Sequence, residues 1–447
     1  MRSATIEKYA AAVPRYTSYP TAPHFGPNVD AATYGRWLGE IAEGAPASLY
    51  VHIPFCQEMC WYCGCTTKAT RRHEPIARYL DALEAEIAQV SASLGGRPRI
   101  EHIHWGGGSP SILAAADIAR LAATLRRHFD LAAKLEFAVE IDPRGLGDDA
   151  IRAFAAAGVN RVSVGVQDFA EDVQRAINRM QSSEQTRDVI EAFRRVGVGG
   201  INIDLVYGLP HQTPASVKDT LSRVLRLAPD RIALFGYAHL PSRITHQRLI
   251  DESVLPDTAS RFAQAASAAA VLEQAGYERV GLDHFARPDD PLAQPGIRRN
   301  FQGYTTDAAP VLIGLGASSI GYMPQGYVQN TPAIAEYERR VLSGTLATAR
   351  GHAMSEDDAA RALIIERLMC DFRFPAAEMR RRFPQLADAL LAEAGSLVAA
   401  DEDGLLAASP EDGGFLVTDA GKPFVRSICS AFDSYLGKSS AQHSAGV

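Results

Sequence analysis

Residues 48–65 read Ser48-Leu-Tyr-Val-His-Ile-Pro-Phe-Cys-Gln-Glu-Met-Cys-Trp-Tyr-Cys-Gly-Cys65, an apolar, strand-like run that breaks into a loop carrying four of the chain's six cysteines. Cys56, Cys60 and Cys63 follow the spacing C-x3-C-x2-C. Three thiolates so placed can hold three irons of a cubane and leave the fourth open to a substrate, which a closed four-cysteine cluster does not offer. A structural zinc site is the competing reading. Zinc asks for four ligands with enough loop to close a tetrahedron, and the single residue between Cys63 and Cys65 is tight for that. The remaining cysteines, Cys370 and Cys429, lie far away in sequence.

Working outward, six apolar runs recur at Leu49–Phe55, His102–Gly106, Leu135–Ile141, Arg161–Val166, Ile201–Tyr207 and Arg231–Tyr237, each followed by a turn and a helical pattern. Strands alternating with helices imply parallel βαβ units. The expected class is therefore α/β, a partial (β/α)6 TIM-like barrel spanning residues 48–290. The first helix shows its buried stripe in Ile76, Tyr79, Leu80, Leu83, Ile87 and Val90. Glu84 and Glu86 fall off that stripe and are expected to face solvent.

Chemistry in parallel barrels collects at the C-terminal strand ends. All six ends carry candidates: the cysteine loop, Gly106-Gly-Gly-Ser-Pro110, Glu140, Gln167, Asp204, and Ala238-His239. The glycine turn lets backbone approach a ligand closely, and it lacks the Lys of a phosphate loop. Glu140 and Asp204 are carboxylates inside apolar strands, where a charge needs a cation or donor. Either could serve a ligand or a structural ion pair; for Glu140 the partner would be Arg144 or Arg161. Gln167 could be a satisfied core amide. His239 and His284 are isolated, and neither is assigned a metal.

Around the barrel, residues 1–47 read as an N-terminal arm. Its Arg15-Tyr-Thr-Ser-Tyr-Pro-Thr21 offers a cation and two aromatic rings, either as packing or as a ligand contact. Residues 291–354 read as a segment completing the barrel and active site, Gly-rich and irregular from Gln294 to Ile320. Residues 355–436 alternate helical stretches with two short strands and resemble a winged helix. With 15 Asp and Glu against 9 Lys and Arg after residue 354, this part should pack or cover rather than bind phosphates. The small, polar residues 437–447 should be disordered.

A net charge of −7 with no long basic run speaks against a nucleic-acid partner. The apolar window Phe262–Leu272 is Ala-rich and too short to span a bilayer, so no membrane association is expected. The start has no signal-like apolar core. Few, clustered thiols suit a reducing cytoplasm better than a disulfide framework.

Together the cysteine loop, the glycine turn and the barrel resemble the radical S-adenosylmethionine (SAM) enzymes. More closely, from Arg15 to Leu436, the chain resembles the oxygen-independent coproporphyrinogen III oxidase family, through PRYTSYPT, YVHIPFC, HWGGG, GVQDF, NIDLVYGLP, YAHLP, DHFARPDD and RNFQGYTT. A related branch of haem chaperones typically lacks a cysteine at the position of Cys65. The stretch Leu292–Ile297 is shorter than is usual in the family. The resemblance implies that Cys56, Cys60 and Cys63 ligate a [4Fe-4S] cluster and that Cys65 is required without being a ligand. It implies two SAM molecules, the first beside Tyr50, Gly107, Glu140 and Ile320, the second beside Tyr62, Gly108, Ser109, Gln167, Arg179, Asp204 and Ala238. The implied reaction takes a hydrogen from the β carbon of a propionate and releases carbon dioxide, leaving a vinyl group. Two rounds convert coproporphyrinogen III to protoporphyrinogen IX. A flavodoxin-like electron donor and a monomeric state are the family expectation. The substrate's four carboxylates call for cations, and Arg15 with one of Arg298 or Arg299 is expected to hold propionates.

Overall fold

A computed structural model describes residues 3–437. Six strands, β1 (Pro46–Ile53), β2 (Arg99–Gly107), β3 (Asp130–Ile141), β4 (Arg161–Gln167), β5 (Gly200–Tyr207) and β6 (Arg231–Gly236), pair in parallel, each with the next. The crossovers carry α1 (His73–Ser93), α2 (Ala115–His128), α3 (Asp148–Ala156), α4 (Ser183–Arg195) and α5 (Pro214–Arg226), and α6 (Thr258–Gln274) follows β6. Parallel strands covered by helices lose water on both faces. Accordingly Ser48 and His52 on one face of β1 are buried as well as Leu49, Val51 and Ile53 on the other, as is every residue of the α1 stripe.

The sheet extends beyond these six. At one edge β6 pairs antiparallel with β8 (His284–Ala286), which pairs with β7 (Glu278–Val280). At the other, β9 (Val311–Leu315) adds a seventh parallel strand on the free side of β1, with Tyr50 opposite Gly314. An antiparallel run of β10 (Ile320–Met323), β11 (Gly326–Asn330) and β12 (Thr348–Ala353) continues from it, giving a 12-stranded open sheet. The expectation of an irregular segment over 294–320 is therefore corrected. Five residues interrupted by Gly314 carry too little periodicity to read as a strand; the exposed edge of β1 decides their conformation.

Glu86 is a second correction. It is 1% exposed, not solvated. Its carboxylate accepts from the Gly316 amide at 2.6 Å, the Tyr337 hydroxyl at 2.6 Å and the Asn330 amide at 2.5 Å. Burial pushes its pKa up to about 7 against these three donors. The residue is off the stripe that covers the barrel, but the added strands and α7 (Ile334–Leu342) cover its side of α1. Glu84 meets Thr124 and Arg120.

In the C-terminal part, α8 (Glu356–Asp371), α9 (Ala376–Arg382) and α10 (Pro384–Ala399) pack with the strand pair Leu406–Ser409 and Gly414–Val417. Their core joins Ile364, Leu368, Phe374, Phe415 and Phe432, and it takes in Tyr16 and Tyr19 of the arm. Tyr16 donates to Asp433 at 3.0 Å, and Arg426 donates to the Val13 and Pro14 carbonyls. The arm is thus anchored on both sides of Arg15. The expectation of a disordered tail falls outside the described residues, apart from Gly437.

Candidate active site

Where β1 ends, Phe55–Cys56 pairs in parallel with Lys68–Ala69, which clamps the base of the cysteine loop. Two neighbouring segments, around Ile177–Asn178 and Gln247, then hold its backbone. Trp61 N–H donates to the Ile177 carbonyl at 2.9 Å, Asn178 donates to the Met59 carbonyl at 2.9 Å, and Gln247 donates to the Tyr62 carbonyl at 2.9 Å. The loop is therefore fixed by a strand pair at its base and by two helix-associated segments along its backbone.

The glycine turn after β2 packs against this loop and against β3. Gly107 adopts a φ of 112°, a region that favours glycine. A Cβ on Gly106 would lie 2.6 Å from the Glu140 carboxylate, and one on Gly108 would lie 2.4 Å from Thr67 Oγ1. Glu140 Oε2 accepts from the Gly107 amide at 3.1 Å, and Oε1 lies 3.2 Å from His104 Nε2. Burial alone would raise the Glu140 pKa; His104 and the amide more than offset it and hold the carboxyl below its ordinary value. Glu140 thus pairs with neither Arg144 nor Arg161. Arg144 pairs with Asp142, and Arg161 with Glu136 and Asp290.

Gln167 takes a φ of 69° beside a register shift between β4 and β5. A non-glycine residue there is strained, and a bulge of this kind re-aims a side chain. Asp204 accepts from Ser163 at 2.7 Å and from Asn202 at 2.8 Å, while burial raises its pKa. Arg179 donates to the Gly165 carbonyl at 2.7 Å and sits 3.5 Å from Cys60 Sγ.

These groups face one cavity of about 540 Å3. All four loop cysteines line it, with Tyr62, Gly108, Ser109 and Glu140. Gln167, Arg179, Asp204, Ala238 and Arg15 line it as well. Three expected cofactor contacts are not on its wall, nor are the expected substrate contacts Arg298 and Arg299. Tyr50 lies behind it, its hydroxyl 3.0 Å from His52 Nδ1 and its ring stacked on His104. Gly107 reaches it only through Glu140. Ile320 sits on β10, packed over Gly314 beside Tyr50. Arg298 points elsewhere, paired with Glu366 at 2.8 Å, whereas Arg299 donates to the Arg15 carbonyl at 3.4 Å. His239 is hydrogen-bonded to Tyr237 and Glu252, and His284 to Asp283.

Residues 50–224 match the radical SAM superfamily. The chain is 50% identical to the oxygen-independent coproporphyrinogen III oxidase of Bradyrhizobium diazoefficiens, with 97% of each covered. It is 42% identical to that of Paracoccus denitrificans, over 98% of this chain and 97% of the relative. The chain belongs to the oxygen-independent coproporphyrinogen III oxidases. The solved coproporphyrinogen III oxidase of Escherichia coli, a radical SAM enzyme, superposes with a TM-score of 0.89 at 40% identity, covering 94% of this chain and 98% of that one. Nothing in these likenesses favours a haem chaperone or a zinc-stapled protein.

Members of this superfamily work with a [4Fe-4S] cluster and SAM, and the residues present fit both. Three thiols of one clamped loop face a cavity large enough for a nucleoside-sized molecule. Burial pushes the Cys56 thiol up to about 11, and Cys65 hydrogen-bonds the Cys63 sulfur. Two guanidiniums beside Cys60, from Arg144 at 3.4 Å and Arg179, offer the positive field a thiolate-held cluster needs. Sequence reasoning missed Arg144, Asp142 and His104 in these roles. Asp142 and Arg144 directly follow β3, so the strand-end rule could have found them. Among the described residues no helix is long and apolar enough to cross a membrane.

Proposed function

We propose that this chain oxidatively decarboxylates two propionates of coproporphyrinogen III to vinyl groups, giving protoporphyrinogen IX in anaerobic porphyrin synthesis. One observation supports it above the rest: the cysteine loop, Glu140, Gln167, Asp204 and Arg15 converge on a single cavity under the anchored arm. When bound, the cluster and SAM supply a carbon radical able to take a hydrogen atom from a propionate side chain.

The chain's own residues bind and orient. Cys56, Cys60 and Cys63 would hold the cluster, while Cys65 serves turnover without ligating iron. Glu140, kept ionised by His104 and the Gly107 amide, would accept from the amino group of a first SAM, with Tyr50 and Ile320 shaping that end. Tyr62, Gly108, Ser109, Gln167, Arg179, Asp204 and Ala238 would surround a second. Arg15 and Arg299 would meet substrate carboxylates, and Arg298, committed to Glu366, would not. The arm and C-terminal part exclude water and stray hydrogen donors. A flavodoxin-like donor, a monomeric state and a cytoplasmic location complete this reading. Anaerobically reconstituted protein given substrate, reductant and SAM should release carbon dioxide and vinyl product; SAM cleavage without either would refute the assigned substrate.

A further inference from the structure

Beside the main cavity lies a second, of about 280 Å3, between α6, β8, the arm and the C-terminal part. The two share Arg15 and Gly236, and Arg15 donates to the Gly236 carbonyl at 2.7 Å. Five guanidiniums line the second cavity, those of Arg15, Arg261, Arg279, Arg299 and Arg426, against the carboxylates Glu273 and Asp283. Arg426 is buried, Arg261, Arg279 and Arg299 are half-buried and Arg15 is exposed; desolvating cations in such excess is costly unless an anion meets them. The Nε atoms of Arg261, Arg279 and Arg299 are buried without a hydrogen-bond partner. Asp283, despite burial, is held well below the carboxylate range by Arg299, His284 and Arg15, so one acid already sits amid surplus positive charge. The opposite wall is apolar: Phe262, Ala266, Ala269 and Ala270 of α6, with Phe285 under the Arg279 guanidinium at 5.7 Å. The Ala-rich stretch leaves the space that larger side chains would fill.

We infer that this arginine pocket takes the carboxylates of the substrate propionates that are not being oxidised, so that it sets which ring of the tetrapyrrole reaches the main cavity. Arg261 and Arg279 are then specificity-determining residues. The inference rests on the substrate reading proposed above. An apolar wall with a cationic rim matches a macrocycle edge bearing carboxylates, and Arg is the residue that binds them in pairs of hydrogen bonds.

The test uses the reconstituted holoenzyme. Arg261→Gln and Arg279→Gln should each raise KM for coproporphyrinogen III about tenfold or more, the loss of one charge-assisted hydrogen bond. SAM cleavage by chemical reductant without substrate, and the cluster spectrum, should match the wild type. On the wild-type chain, coproporphyrin III should bind at least tenfold more tightly than its tetramethyl ester, in which no propionate keeps its charge. Equal binding of the two porphyrins, or unchanged KM in both variants, overturns the pocket. A wild-type enzyme that cleaves SAM but neither binds coproporphyrin nor decarboxylates its reduced form overturns the substrate reading and the pocket's ligand with it.

Discussion

Arg144 donates to the Cys60 sulfur across 3.4 Å while also gripping Asp142 at 2.7 Å. A hydrogen bond to a cluster thiolate favours the reduced, more negative state. Arg144→Gln should therefore lower the reduction potential of the cluster by on the order of 30–60 mV, about 59 mV per 1.4 kcal/mol for one electron. An EPR-monitored titration reads it, and an unchanged midpoint removes this role.

Cys65 differs from its three neighbours in spacing and in being the exposed member of the four. Cys56→Ser, Cys60→Ser and Cys63→Ser should each lose most bound iron and sulfide. Cys65→Ser should retain the cluster and lose turnover. Iron content in Cys65→Ser as low as in the others would make it a ligand instead.

Arg15 projects from an anchored arm into the shared space of both cavities. Arg15→Ala should raise KM for coproporphyrinogen III by roughly 10–100-fold, the range of a lost charge-assisted hydrogen bond, with cluster absorbance intact. Steady-state kinetics beside the visible spectrum checks both halves.

Glu86 gives the fold a pH dependence of its own. Its folded pKa is raised to about 7, above the unfolded carboxylate, so the folded state holds a proton that the unfolded chain has released. Stability therefore falls as pH rises from about 4.3 to 7 and levels off above that. The total is on the order of 3 kcal/mol. Glu86→Gln should flatten that slope, seen as urea midpoints at pH 5 and pH 7 that move closer together than in the wild type. A slope equal to the wild type would assign the titration to another group.

The parallel core was legible because its signal is local: six apolar runs, each followed by a helical stripe, and polar residues at each strand end. Glu140, Gln167 and Asp204 could be found as misfits in their strands. The same reasoning failed where a partner far along the chain decides. Val311–Leu315 becomes a strand because β1 has a free edge, and Glu86 is buried because those added strands lie over it. Arg261 and Arg279 gave no warning, since an arginine on a helix or short strand reads as solvated until the fold turns it inward. Choosing Arg299 over Arg298 likewise needed the position of Glu366.

Tyr16 of the arm meets Asp433, so the roof over the cavity joins segments 417 residues apart. The parallel strands and the cysteine loop precede residue 433 in the chain by more than a hundred residues, the last parallel strand ending at Leu315. The contact over the cavity therefore forms only once residue 433 has been made and has folded back onto Tyr16. A chain cut before residue 433 would keep the cofactor loop and lose this contact over it.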